Sequence, residues 1–274
     1  MRRTLPLSRE FDPGKVTDPA RTGAVDWTAF NEHFDRLLAS DWRRINEKTS
    51  CGLPHRLLRL ALAYAQQKRN SIQDFGGKIR VFSRMKIRPN PDVVVFGAEA
   101  GWEAAMIQAL FGRGGKVVLI DRDPKAYERF LKAPVMVRVR APRGWKEPWI
   151  VVRRDPSRIE YLRQDFFDVE RPSAFDVGID WGLIEHYEDA GKRAAIDLFQ
   201  GFLKPGGLQI SSCPRNRLAV RLFYRAFSDE LNWGYRELMD LDELSGHLAR
   251  AGYRIEDTFT LTAHNVVACR RVLP

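Results

Sequence analysis

The sequence predicts an α/β fold in which a mostly parallel sheet carries helices on both faces. Three observations predict it. Val93–Phe96 and Lys116–Ile120 are short, β-branched apolar runs, the pattern of strands buried on both faces. Between them Gly97 and Gly101 bracket a tight turn, and Trp102–Phe111 carries apolar residues at helical spacing until Gly112, Gly114 and Gly115 end it. Further along, the apolar runs Phe175–Asp180 and Leu208–Cys213 flank a helical stretch at Lys192–Leu203. Such alternation builds β-α-β units, because parallel strands need a crossover between them.

Taken in order, residues 1–25 are rich in Pro, Gly and charge, with Asp12-Pro13-Gly14 and Asp18-Pro19 as turns, and read as a loose arm. Asp26 is placed to cap a helix whose Trp27, Phe30, Phe34, Leu37 and Leu38 recur at 3- and 4-residue steps, with Trp42 and Ile45 as its continuation. A second helix is expected over Pro54–Gln67, a break at Asn70 and Gly76-Gly77, and a short strand over Val81–Ile87. Arg88-Pro89-Asn90-Pro91 then hinges residues 1–90, a mostly helical cap, onto residues 91–274, the sheet domain.

Beyond the first β-α-β unit, Pro124–Leu131 reads as a short helix. Residues 134–154 alternate Val135, Val137 and Val139 with Met136, Arg138 and Arg140, turn near Arg143-Gly144 and return through Trp149–Val152, which is an inserted basic β-hairpin. Arg158–Arg163 is the third strand, Phe175–Asp180 the fourth and Leu208–Cys213 the fifth, after a turn at Lys204–Gly207. Arg217–Phe227 and Leu241–Ala251 read as helices, the second capped by Asp240 and stopped by Gly252. Tyr253–Thr262 and Val266–Val272 form an antiparallel pair at the sheet edge, giving seven strands.

At 274 residues the chain has ample core for one large domain with an appendage. Its net charge of +10 suits acidic partners such as nucleic acid, phosphorylated metabolites or anionic lipid, or else a basic solubilising surface. Cys51, Cys213 and Cys269 are few and scattered, which fits a reducing compartment without a zinc site. The absence of a signal-peptide pattern and of an 18-residue apolar run leads to the expectation of a cytoplasmic protein without a membrane span.

The glycine turn narrows the ligand. A dinucleotide site places pyrophosphate against a helix N-terminus behind G-x-G-x-x-G. Here the turn reads Gly97-Ala98-Glu99-Ala100-Gly101, and Glu99 puts negative charge where phosphate would sit. Val94–Gly101 instead resembles the first motif of the class I S-adenosylmethionine-dependent methyltransferases, with Val95 where that family usually has an acid and Glu99 replacing a glycine. Phe202–Ser212, FLKPGGLQISS, is similar to the family's motif before the fifth strand. Gln164-Asp165-Phe166 sits where the family places an acid near the adenine amino group, and Gly182–Asp189, GLIEHYED, resembles the segment facing the transferred methyl. The resemblance covers residues 91–274, about two-thirds of the chain.

It implies a Rossmann-like fold, S-adenosyl-L-methionine as cofactor with S-adenosyl-L-homocysteine as product, and a methyltransferase. Gly97 and Gly101 would bring backbone to the methionine end, and Glu99 could take its ammonium group. Asp121 would hold the ribose or else cap the helix near Pro124, Asp165 the adenine or else a turn, and Phe166 would cover the adenine or fill core. Ala98, Arg122, Asp180 and Trp181 are further cofactor-binding candidates. Glu185 and His186 are the catalytic candidates: a histidine at the carboxyl edge of the sheet can take a proton from the nucleophile, or merely brace its loop by hydrogen bonds. Glu185-His186-Tyr187 also resembles a stretch in cyclopropane-forming lipid enzymes, but Ser212-Cys213-Pro214 departs from their pattern, and Gly182 stands where a quinone-type subgroup has a metal-binding glutamate, so no metal is expected.

The acceptor is expected to be a small or medium organic molecule, with an anionic one suited to the charge. Strand four lacks the asparagine-proline-proline-aromatic signature of nucleic-acid amino methylases. Nucleic acid is the second choice, held by Arg138, Arg140, Arg143, Lys146, Arg153 and Arg154 with Trp145 or Trp149 stacking on a base. A non-catalytic cofactor-binding partner module is the remaining alternative, and the oligomeric state is left open.

Overall fold

The computed structural model describes residues 5–16, 18–38, 57, 61, 74–170 and 172–272. The expected helix over Pro54–Gln67, its neighbours Trp42 and Ile45, the break at Asn70 and Cys51 lie outside the described residues or almost wholly so.

Among the described residues the N-terminal arm carries a 3-10 turn (Pro13–Lys15) and the short α1 (Pro19–Thr22), followed by α2 (Trp27–Leu38). Asp26 caps α2 as expected, its carboxylate accepting the Ala29 N–H at 3.0 Å. α3 (Phe75–Phe82) occupies most of the stretch expected to break and then extend. The Gly76-Gly77 pair opens this helix instead of interrupting the chain. Asp74 accepts the Gly77 N–H at 2.9 Å, and a Cβ on Gly77 would stand 2.3 Å from the same carboxylate. Ile79 and Phe82, three residues apart, are fully buried on its inner side. A cap and a packed face outweighed the glycines' low helix propensity.

The sheet then unfolds as anticipated: β1 (Val93–Phe96), α4 (Trp102–Phe111), β2 (Val117–Ile120), α5 (Pro124–Lys132), the hairpin β3 (Met136–Arg140) and β4 (Trp149–Arg153), and β5 (Ile159–Leu162). After these come β6 (Phe175–Trp181), α6 (Asp189–Phe202), β7 (Leu203–Pro214), α7 (Leu218–Ala226), α8 (Ser228–Leu231), α9 (Leu241–Arg250), β8 (Tyr253–Thr260) and β9 (His264–Arg271). Lys204–Gly207, expected as a turn before the fifth strand, bulge out within β7, between its pairings of Leu203 with Phe175 and Leu208 with Val177.

Seven strands form one sheet in the order β5-β2-β1-β6-β7-β9-β8, and β3-β4 form a separate two-stranded ribbon. Only the two strand pairs involving β9 are antiparallel in the large sheet. The four residues of β1 are wholly buried because they feed two cores. Val93 and Val95 face the core shared with α3, α4 and the ribbon, whereas Val94 and Phe96 face the one shared with α6 and α9. This two-sided burial is why the run is continuous rather than alternating. The ribbon's inner residues, Val139, Ile150 and Val152, are buried in the first core.

Arg154, expected among the phosphate-holding cations, is a core residue with 1% exposure. Its guanidinium stacks between Trp102 and Phe130, at 5.3 and 4.7 Å from the ring centroids, and donates to the carbonyls of Phe130, Ala133 and Pro134. Among the described residues no helix is long and apolar enough to cross a membrane.

Candidate cofactor and acceptor site

The carboxyl edge of an open α/β sheet is where the strand ends diverge and leave a crevice. Here the crevice is a cavity of about 900 Å3 measured out to its mouth. Its floor and walls come from the ends of β1, β2, β5 and β6. Its roof is Arg21, Trp27, Phe30 and Asn31 from the N-terminal arm and α2.

After β1 the backbone turns through left-handed residues: Gly97 has φ +61°, Glu99 φ +44° and Gly101 φ +72°. Two of these need glycine for space or strain. A Cβ on Gly101 would lie 2.4 Å from the Leu119 side chain, and one on Gly97 would both strain the turn and reach Leu183 at 3.4 Å. Glu99 tolerates the conformation because its N–H donates to Asp121 Oδ2 at 3.1 Å, while Asp121 Oδ1 accepts the Asp123 N–H at 3.0 Å. Asp121 therefore ties the glycine turn to the end of β2 and still faces the cavity. Burial, with the nearby Asp123 charge, pushes its carboxyl up to about 6, although both backbone donors and Arg129 favour its ionised form. The cap of α5 belongs to Asp123, which accepts the Lys125 N–H at 2.7 Å.

Around the cavity the charges are already paired. Arg122 Nη1 lies 3.5 Å from Asp165 Oδ2, and Asp165 also accepts the Phe167 N–H at 3.0 Å. Arg129 donates to Asn31 Oδ1 at 2.6 Å and sits 3.9 Å from Glu99. Asn31 donates in turn to Asp123, and Arg21 pairs with Asp168 beyond the rim. These ties lash α2 to α5 and the arm to the loop after β5. Phe166 packs its ring on Phe96 at 6.0 Å between centroids, and Trp181 receives the Lys78 ammonium at 4.7 Å from its own.

Of the expected cofactor residues, Gly97, Glu99, Asp121, Arg122, Asp165, Phe166 and Trp181 line this one cavity. Ala98 and Gly101 shape the turn without lining it. Asp180 is a correction: it is fully buried behind the wall and accepts hydrogen bonds from Gln209, at 2.8 Å, and from Ser211. Its carboxyl is pushed well above the ordinary range by burial, so it belongs to the sheet interior.

Glu185 and His186 sit in a 3-10 turn (Ile184–His186) just behind the cavity, each 2% exposed, and neither lines it. His186 Nδ1 donates to the Tyr235 carbonyl at 3.0 Å, which leaves Nε2 to accept from Arg236 at 3.1 Å. With both nitrogens engaged, burial and the Arg236 charge hold the ring neutral, well below its ordinary value. Trp27 lies against this ring at 4.8 Å and Phe30 at 6.2 Å, so the histidine supports the roof from beneath. Burial raises Glu185 to about 7, against the pull of Arg236.

Several site residues had no signal in the sequence. Asn31, Arg21 and Arg129 were not singled out by any motif, and Trp27 and Phe30 were marked only by their helical spacing. His264, on the last strand, brings its ring to 6.0 Å from Trp181, and burial pushes it down to about 3. Among the described residues no group of three or more His, Cys, Asp and Glu is arranged to hold a metal ion.

No family profile and no curated protein sequence matches the chain. Solved structures do. One chain of the complex between the Haloferax volcanii Trm112 methyltransferase activator and a putative methyltransferase is 12% identical, with a TM-score of 0.57 over 77% of this chain and 96% of that one. Human N-acetylserotonin methyltransferase in complex with SAM is 14% identical, with a TM-score of 0.53 over 88% and 67%. The Burkholderia thailandensis 1,6-didemethyltoxoflavin-N1-methyltransferase is 16% identical, with a TM-score of 0.50 over 82% and 93%. At these identities the likeness is one of architecture, and it agrees with the strand order: the chain has the fold of the class I S-adenosylmethionine-dependent methyltransferases.

Proposed function

We propose that the chain is an S-adenosylmethionine-dependent methyltransferase that acts on a small or medium organic acceptor. The observation that carries this reading is the convergence of the glycine turn, Asp121 and Asp165-Phe166 on one cavity at the carboxyl edge, from three successive strand ends. The donor set fits the cofactor. Each Asp121 oxygen has accepted one backbone N–H and keeps a lone pair for a ribose hydroxyl. Glu99 offers a carboxylate for an ammonium group, and Phe166 an apolar face beside Asp165 for adenine. Pyrophosphate would meet Glu99, Asp121 and Asp165 together, which speaks against a dinucleotide.

When bound, the cofactor supplies an electrophilic sulfonium methyl group for in-line displacement. The chain's share is alignment and exclusion of water. Trp27 and Phe30 roof the cavity, and the residues 1–90 to which they belong act as the cap of a catalytic domain spanning 91–274. Glu185 and His186 serve this reaction by position: the histidine's ring carries the roof and its lone pair is occupied, so it does not take the acceptor's proton. Human N-acetylserotonin methyltransferase and the 1,6-didemethyltoxoflavin-N1-methyltransferase, whose names specify small acceptors, support that acceptor class.

Calorimetry with S-adenosylhomocysteine and with NAD tests the cofactor. Binding of the first alone is expected; binding of NAD, or of neither by a folded protein, would overturn the reading. Transfer of a labelled methyl group from S-adenosylmethionine to fractions of a small-molecule extract, lost when the protein is boiled, tests the activity itself, and no transfer by a folded protein that binds the cofactor would overturn it.

A further inference from the structure

The β3-β4 ribbon takes no part in the cavity, yet its outer face is unusual. Its register pairs Met136 with Arg153, Arg138 with Val151, and Arg140 with Trp149. All six side chains point away from the core that holds Val139, Ile150 and Val152, so every outward rung sets one cation beside one apolar group. Met136, Val151 and Trp149 are 46%, 48% and 54% exposed, and Trp145 at the turn is 45% exposed between Arg143 and Lys146. None of these five cations forms an ion pair with a described residue, and Glu147 is the sole acid of the segment 136–153.

Exposed apolar side chains grouped on one small face mark an interaction site. Three kinds of partner suit a cationic face, and the pattern separates them. A protein interface also favours arginine, tryptophan and methionine, but it sets its charges in a rim around an apolar centre, whereas here a cation stands on every rung. Single-stranded nucleic acid is held by stacking on aromatic planes, and Met136 and Val151 offer none. An anionic lipid surface uses both halves of each rung. Apolar side chains enter the boundary between headgroups and acyl chains, tryptophan prefers that depth, and arginines meet lipid phosphates.

We propose that this ribbon docks the protein reversibly on anionic membranes, outer face down, with Trp149 and Trp145 at headgroup level. The face is only about 14 Å long, from four strand steps of roughly 3.4 Å, so the attachment is peripheral and salt-sensitive. It does not depend on the proposed reaction.

The test is sedimentation of the full chain with vesicles of phosphatidylcholine and phosphatidylglycerol in equal parts, beside vesicles of phosphatidylcholine alone and a filter-retention arm with oligouridylate. The protein should pellet with the anionic vesicles at low salt, stay in solution with the neutral ones, and be released by high salt. Each arginine near the surface contributes about fivefold to the partition, so Arg138→Ala/Arg140→Ala should weaken it by about 25-fold. Trp149→Phe should reduce quenching by lipids brominated on their acyl chains. Both variants alter exposed residues outside the cavity, and unchanged melting and S-adenosylhomocysteine binding would confirm that they are folded. Absence of vesicle binding, or binding unaffected by the arginine pair, would overturn the proposal. Retention of oligouridylate by a protein that ignores vesicles would assign the face to nucleic acid instead.

Discussion

Replacing Asp121 with asparagine probes the centre of the proposed cofactor site at almost constant shape. In the wild type the two carboxylate oxygens accept the Glu99 and Asp123 N–H groups at 3.1 and 3.0 Å. Asparagine has one acceptor oxygen, so its NH2 must confront one of those donors and withdraw from one ribose hydroxyl. A hydrogen bond to a charged group is worth about 1.5–3 kcal/mol, so Asp121→Asn should weaken S-adenosylhomocysteine binding by roughly 10- to 150-fold. The carboxyl at about 6 adds a second signature. Ribose hydroxyls favour the ionised form, so binding displaces its proton, and wild-type affinity should fall as pH drops below about 6, by up to about tenfold per unit. The asparagine variant should be flat there. Stability shows the opposite sign. The folded chain holds between about 3.8 and about 6 a proton that the unfolded chain releases, so ionised Asp121 costs stability above that window, and the cost fades as pH falls through it. Calorimetry across this range measures the affinities. A folded variant that binds as tightly as wild type, or a wild-type affinity indifferent to pH, would refute the assignment of Asp121 to the ribose.

His186→Ala removes the partner of the Tyr235 carbonyl and of Arg236, and should lower stability by about 1–3 kcal/mol in urea titration. Because the folded ring resists protonation while the unfolded ring does not, His186 erodes stability as pH falls below 6.5, and the variant should lose that acid limb. The shape of the turnover–pH profile should survive the substitution, and loss of an ionisation from it would restore His186 as the base. Arg154→Ala should cost about 3 kcal/mol or more by leaving three carbonyls without their donor, and Arg154→Lys should recover little, since an ammonium cannot span them. A loss below about 1 kcal/mol on chemical unfolding would contradict that account. Gly101→Ala should destabilise by about 1–3 kcal/mol through its positive φ and its overlap with Leu119, and an unchanged melting temperature would show that the turn relaxes.

The strands and their sequence order were legible because their signals are local. A run such as Val93–Phe96 announces burial on both faces, and Gly97–Gly101 announces its turn, without reference to anything distant. The acid ending β2 was legible for the same reason. The helix at Phe75–Phe82 was not, because two adjacent glycines outweigh Asp74 in any propensity reading, and only the packed Ile79 and Phe82 reverse the balance. His186 was read from its own chemistry, but its state is set by Tyr235 and Arg236, about fifty residues downstream. Arg154 is one letter among many basic ones. Its place in the core follows from Trp102 and Phe130, which belong to two different helices. Side chains whose neighbours come from remote segments are the ones a linear reading misplaces.

The polar ties that hold α2 over the cavity carry a consequence for its movement. Asn31 bridges Asp123 and Arg129, and Arg21 reaches Asp168, so the roof is fastened at two separate points of the rim. The two differ in exposure: Asn31 is buried, whereas Arg21 and Asp168 lie in water, where such contacts are individually weak. The roof is thus latched more firmly on its α5 side than at the arm, and movement of α2 for ligand exchange would begin at the Arg21–Asp168 pair.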